Sequence, residues 1–325
     1  MPEVTMVKAL NEALRRSLSE DDRTLVLGED VGKLGGVFRV TEGLQAEFGD
    51  KRVFDTPLAE AAIAGVSLGL ALAGWRPVAE MQFDGFSYPA LDQVISHVAK
   101  YRYRSRGRQT VPIVIRIPFA GGIGAAEHHS ESPEAYYAHT AGLKVVAPST
   151  PIDAHDLLRA SIADPDPVIF FEPKSRYWSK EEGDLDGASA LPIGKARVLR
   201  EGSDCTVIAY GAMVARSLAA ARAAAARGTE LEVLDLRTLV PLDLDALAAS
   251  VRRTGRAVVV HEAPLTAGFG AEVVARLMED AFDCLEAPVL RVTGYDTPYP
   301  PATIESHYLP SIERILDAVD RVTNY

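Results

Sequence analysis

Two adjacent histidines, His128 and His129, close a glycine-rich stretch, "AGGIGAAEHHSES", at 120–132. Imidazole titrates near neutral pH, so rings at the end of such a loop, flanked by Glu127 and Glu131, suit general acid–base work. Metal binding is a poor reading, because adjacent side chains diverge and no H-E-x-x-H or Cys/His set accompanies them. Glu60 follows "DTPLA" and opens an apolar run, where its carboxylate is expected to enter a low-dielectric setting and to need a partner or a proton. The plainer reading of Glu60 is a helix-start acid favoured by the macrodipole and facing water. Glu29 and Asp30 tip "TLVLGED", and Glu80 and Gln82 lie on "AEMQF", with no role fixed by residue type alone. Gly65-Val66-Ser67-Leu68-Gly69 formally matches the nucleophile elbow, which needs a strand ending in a sharp turn. Here it falls inside helix-like sequence, so a hydrolase using Ser67 is a distant alternative. Neither "GGIGAA" nor "GFGAEV" supplies the third glycine of a dinucleotide fingerprint.

These groups need a frame, and the apolar pattern supplies one. "TLVLGED", "RVFDTP", "RPVAEMQF", "VPIVIRIP", "KVVAPST" and "PVIFFEP" read as short strands, separated by helix-like stretches such as "ALDQVISHVAKYRYRS" and "DAHDLLRASIAD". That alternation predicts a mostly parallel sheet with helices on both faces. Near the start, Val7, Leu10, Ala13 and Leu14 share one face of an amphipathic helix, with Arg15, Arg16 and Asp21 off it. Residues 58–73 are small and apolar on all sides, which predicts a helix buried in the core. A polar stretch, "SKEEGDLDGASALP", breaks the pattern, and "DCTVIAYG", "VARSLAAARAAAARG", "LEVLDLRTLVP", "RAVVVHEAP" and "APVLRVTG" then resume it. The expected organisation is an α/β protein of two domains, 1–185 and 195–325, the second smaller, with a linker at 186–194.

The 325 residues, 47% hydrophobic and 24% charged, have the composition of a soluble globular protein. A net charge of −11 argues against nucleic acid or an anionic membrane as the main partner. The alternating "YRYR" at 101–104 is too short for a nucleic-acid platform and reads as a helix end making interface contacts. Cys205 and Cys284 form no disulfide framework or metal spacing, so a reducing, cytoplasmic setting is expected. No run approaches the roughly 20 apolar residues that span a bilayer.

In chain order, "LGED", "GGVFRVTEGL", "DTPLAEAAIAGVSLGLALAGWRPVAEMQF", "ALDQV", "KYRYRS", "EHHSESPEAYYAH", "GLKVVAPSTP" and "DPVIFFEPK" occur, followed by "VIAYGAMV", "LEVLDLRTLVPLD", "VVVHEAP" and "TGYDTPYP". This series resembles the beta subunit of the decarboxylating component of 2-oxo acid dehydrogenase complexes, thiamine-diphosphate enzymes of the transketolase-like superfamily. The wording of "KYRYRS", "EHHSES" and "FFEPK" is closer to branched-chain than to pyruvate members, which come next. The resemblance implies a thiamine-pyrimidine-binding parallel sheet covered by helices, followed by a transketolase C-terminal-type α/β domain.

It also implies roles. Glu60 matches the glutamate that shares a proton with the cofactor's aminopyrimidine ring nitrogen and so promotes deprotonation of the thiazolium carbon. Phe86 matches the aromatic residue packing on that ring, Leu58 and Gln82 match neighbouring positions, and Glu29 matches an acid near the cofactor. His129 matches the catalytic histidine, which gives a proton to the opening dithiolane of a lipoyl group. His128 has no assigned duty, and His139 in "YYAH" fits a structural position. The superfamily's diphosphate motif requires paired asparagines, whereas only Asn11 and Asn324 occur. The resemblance therefore implies that an alpha subunit brings the diphosphate and Mg2+ site in an α2β2 heterotetramer, with the C-terminal domain meeting the lipoyl-bearing acyltransferase core. A monovalent cation site (K+) known in some relatives would fall on Val111, Ile113, Ser161, Asp164 and Asp166. A noncatalytic scaffold subunit is the other distant alternative.

Overall fold

A seven-stranded sheet forms the centre of the N-terminal half. The computed structural model describes residues 3–186 and 190–325; residues 187–189 of the expected linker lie outside the described residues. In spatial order the strands are Thr238–Val240, Lys144–Val146, Val168–Pro173, Val114–Phe119, Arg76–Glu80, Thr24–Gly28 and Val53–Asp55. All pairings are parallel except that of Thr238–Val240 with Lys144–Val146. The Thr24–Gly28, Val114–Phe119 and Val168–Pro173 strands are buried at every residue, as a parallel sheet sandwiched by helices requires. The helix Met6–Glu20, capped by the Thr5 hydroxyl on the Lys8 N–H, buries Val7, Leu10, Ala13 and Leu14 as its pattern predicts.

A five-stranded sheet organises the C-terminal half: Leu290–Gly294, Ala257–Pro264, Cys205–Ala209, Leu231–Asp235 and Arg197–Arg200, the last antiparallel to its neighbour. The molecule is thus an α/β protein with a mostly parallel sheet in each half. "LEVLDLRTLVP" is not one strand. It breaks at Arg237, which has φ of 57°, and Thr238–Val240 crosses over to edge the first sheet. At the break the buried Arg237 guanidinium pairs at 2.6 Å with Asp153, a partner from the other half. A buried arginine without that carboxylate would cost several kcal/mol, on the order of 3–5.

The helix expected over 58–73 runs from Glu60 to Leu72, but it is not enclosed. Ile63, Ala64, Ser67 and Ala71 face the core, whereas Ala61, Ala62, Val66 and Gly69 are exposed. Small apolar residues on every side suit a second packed surface as well as a core, and this face stays open in the single chain. The "ALDQVISHVAKYRYRS" helix is likewise segmented into Tyr88–Gln93, a π-helical turn Val94–Val98 and Tyr101–Arg104.

Candidate functional site

The residues with chemical potential gather past the carboxyl ends of adjacent parallel strands. Gly28 pairs in register with Asp55 on one side and Glu80 on the other, so the segments following these three strands emerge together. They carry Glu29 and Asp30, then Leu58 and Glu60, then Gln82 and Phe86. The next strand, Val114–Phe119, leads into the histidine loop, and Val168–Pro173 into Lys174. Such a crevice is where open α/β sheets bind ligands.

Glu29, not Glu60, is the buried acid. Only 5% of Glu29 is exposed, and neither carboxylate oxygen has a hydrogen-bond partner. Burial, and secondarily the nearby Glu60 and Asp30 carboxylates, push it up to about 7; the Ala59 N–H, close by but short of hydrogen-bond geometry, acts the other way. Glu60 stands at the N-terminus of its helix and is half-buried, so the expected low-dielectric setting is reached only in part. Its helix begins where the crevice opens, and full enclosure needs something laid across that mouth. Leu58 beside it is 76% exposed. Asp30 accepts a 2.9 Å hydrogen bond from the Gln82 side-chain amide, which ties the first segment to the third.

His129 packs edge-on against Phe83 (4.2 Å between centroids) and Phe86 (5.1 Å). Burial, then the charges of His128 and Lys174, hold its pKa below the usual histidine value, with Glu127 opposing. A smaller fraction is protonated at neutral pH, but the protonated ring releases its proton more readily. His128 is exposed, with its ring 4.3 Å from that of His129. Glycine is required opposite it: a Cβ on Gly85 would come within 2.3 Å of the His128 carbonyl oxygen.

The loop rests on an ion pair that the sequence reading missed. Asp84 and Lys174 are fully buried and meet at 2.7 Å, and the second Asp84 oxygen accepts the Glu131 N–H. Burial raises Asp84 to about 6 and lowers Lys174, while each opposes the other's shift. The Lys174 ammonium also lies 5.9 Å from the Phe83 ring centre. The one sequence signal was a lysine ending a fully buried strand, "VIFFEPK"; its partner lies 90 residues away.

Other candidates fall elsewhere. Ser67 is fully buried in mid-helix and donates to the Ile63 carbonyl at 2.7 Å, so it offers no exposed nucleophile. His139 is exposed beside a groove of about 660 Å³ lined by Leu239, Val240 and Phe269. Val111, Ile113, Ser161, Asp164 and Asp166 converge at the opposite, amino end of the sheet. There the Val111, Ile113 and Ser161 carbonyls accept backbone N–H groups from Ile113, Val168 and Asp164. Asp164 pairs with Lys144 at 2.6 Å and Asp166 with Arg102, so the carboxylates are already matched by side-chain cations. A monovalent cation would have to rely on the remaining carbonyl lone pairs.

Comparison with known proteins gives this geometry a context. Residues 2–179 match the family model of the transketolase pyrimidine-binding domain, and residues 194–315 that of the transketolase C-terminal domain. The chain is 57% identical to the 3-methyl-2-oxobutanoate dehydrogenase subunit beta of Mycobacterium tuberculosis, covering 98% of this chain and 92% of that one. It is 56% identical to the pyruvate dehydrogenase E1 component subunit beta of Leifsonia xyli, covering 98% and 95%. Against the pyruvate dehydrogenase E1 component subunit beta of Bacillus subtilis the identity is 50% over the full length of both. A solved split gene transketolase, an inactive beta4 tetramer, shares the fold with a TM-score of 0.82 over 99% of this chain and 98% of that one, at 24% identity.

Proposed function

This chain belongs to the transketolase-like family of 2-oxo acid dehydrogenase beta subunits, and from that premise we propose that it forms half of a thiamine-diphosphate site acting on a branched-chain 2-oxo acid. The observation that carries the reading is the buried Glu29 with two free oxygens, electrostatically coupled to Glu60 in a crevice that Gln82, Phe86 and His129 also border. Such a wall fits a flat heterocycle bearing ring nitrogen and amino groups, which would supply the missing hydrogen-bond partners. When bound, thiamine diphosphate supplies the nucleophile and electron sink for loss of carbon dioxide. Glu60 would hold the aminopyrimidine ring through a shared carboxyl proton, Phe86 would pack against that ring, and Leu58, Gln82 and Glu29 would border it. His129 gives a proton to the dithiolane sulfur of an incoming lipoyl group, and its lowered pKa makes that transfer easier. Exclusion of water by a partner closing the crevice would strengthen a hydrogen bond from Glu60 to that ring.

The open apolar face of the Glu60–Leu72 helix, with Leu58 and Val66 exposed beside the crevice mouth, supports a partner that closes it. That partner is an alpha subunit bringing Mg2+ and the diphosphate contacts in an α2β2 assembly, with the acyltransferase core docking on the C-terminal half. Both asparagines of this chain serve backbone contacts instead: Asn11 donates to Val40 and Glu42, Asn324 to Asp320. A K+ ion on the carbonyls of Val111, Ile113 and Ser161 belongs to the same reading. Two free cysteines support work in the cytoplasm, and no helix among the described residues is long and apolar enough to cross a membrane.

Co-expression with an alpha subunit from the same organism, followed by turnover of 2-oxoisovalerate, pyruvate and 2-oxoglutarate, tests the substrate. Greatest kcat/KM on 2-oxoisovalerate is expected; preference for pyruvate would establish the second reading, which the 56% identical relative favours. Glu60→Gln should cut decarboxylation by about 100-fold or more. Unchanged turnover would make this chain a noncatalytic scaffold. His129→Ala should spare decarboxylation with an artificial acceptor but impair acyl transfer to a lipoyl domain, and equal loss in both assays would remove the assigned role.

A further inference from the structure

The carboxyl ends of the second sheet's strands also point at the histidine loop. Glu262, on the Ala257–Pro264 strand, is buried and accepts the Gly121 N–H at 3.0 Å. Glu305, at the start of the Glu305–Tyr308 helix, accepts the Gly122 N–H at 2.9 Å and the Gly124 N–H at 3.2 Å. The Tyr299 hydroxyl donates to Glu305 at 2.8 Å. It also occupies the place of a side chain at Gly121, where a Cβ would lie 1.7 Å from it. Three amides of one short segment are thus collected by two carboxylates from the other half of the chain. The backbone is bent to allow this: Ala120, Gly122 and Gly124 have φ of 67°, 85° and 69°. A left-handed alanine persists only where its surroundings enforce it. The far end of the loop is fixed independently, by the Ala120 N–H on the Glu131 carbonyl and by Asp84 on the Glu131 N–H.

We propose that Glu262 and Glu305, braced by Tyr299, are positioning residues through which the C-terminal half sets the conformation of the histidine loop. The glycines then serve close approach and left-handed turns rather than freedom of motion. Charge-assisted bonds to backbone amides are about twice as strong as neutral ones, so two carboxylates hold what a glycine-rich segment would otherwise leave loose. The catalytic purpose of the clamp rests on the role proposed above for His129: a displacement of about 1 Å at a proton donor can cost on the order of 100-fold in rate.

The test uses the full chain assembled with its partner subunit, in Glu305→Ala, Glu305→Gln and Gly121→Ala forms. Amide hydrogen exchange over 119–132 should quicken about 10-fold or more in Glu305→Ala and Gly121→Ala, as charge-assisted bonds and the Tyr299 contact are lost. Acyl transfer to a lipoyl domain should fall about 10-fold in both while decarboxylation with an artificial acceptor falls less than about 3-fold. Glu305→Gln retains an acceptor oxygen and should recover part of each loss. Exchange in Glu305→Ala within about 2-fold of the parent overturns the clamp whatever the turnover, and so does a glutamine form as impaired as the alanine form. Should His129→Ala transfer acyl groups normally, it is the histidine assignment that fails, and loop exchange alone decides the clamp.

Discussion

Burial makes Glu29 hold a proton more tightly than an ordinary glutamate does, and the stability consequence has a definite sign. Its folded pKa is raised from 4.5 to about 7, so the native state binds the proton more tightly than the unfolded chain between those values. Stability from this group is therefore greatest below about pH 4.5 and declines as pH climbs through 7. Glu29→Gln, neutral and of equal shape, should stabilise the cofactor-free chain by about 1–3 kcal/mol at pH 8, a gain that fades as pH is lowered toward 4.5. Urea unfolding at several pH values measures this, and a variant no more stable at pH 8 would show that the carboxylate already has a partner. Side-chain type brought His129 and Glu60 to notice in the sequence, because an imidazole beside glycines and an acid opening an apolar run are both locally unusual. Type could not rank Glu29 above Asp30: one is buried and the other is not, and that depends on strands placed on either side of theirs.

At the scale of elements, strand–helix alternation was readable because buried parallel strands are apolar throughout. What decides their ends was less so. Asp84 and Lys174 are separated by 90 residues and meet only because their strands lie two apart in the sheet. Lys174→Met leaves a buried, unpaired carboxylate and should cost about 3–5 kcal/mol by denaturant unfolding, whereas Asp84→Asn combined with Lys174→Met should recover part of it. A lone Lys174→Met that unfolds like the parent would mean the pair carries no net stability. The open face of the Glu60–Leu72 helix escaped the sequence because small apolar residues look alike whether they meet their own core or another chain. The break in "LEVLDLRTLVP" escaped it because Arg237 turns the chain toward Asp153, a partner 84 residues earlier.

At the scale of the molecule, the two halves are joined by more than the chain between them. The carboxylates Glu262 and Glu305 reach from the second sheet to the histidine loop, and Thr238–Val240 reaches from the C-terminal half to edge the first sheet. A fragment ended after residue 186 would leave the Lys144–Val146 strand as a bare edge beside Arg237's orphaned partner Asp153. Such a fragment is expected to form larger and more heterogeneous species than the full chain in sedimentation velocity; a monomeric, cooperatively unfolding fragment would contradict this. During synthesis the same arrangement imposes a waiting period. The crevice-bearing strands of the first half are translated early, yet their sheet cannot be sealed until Val240 has left the ribosome, so folding of the amino-terminal unit is timed by residues translated long after it.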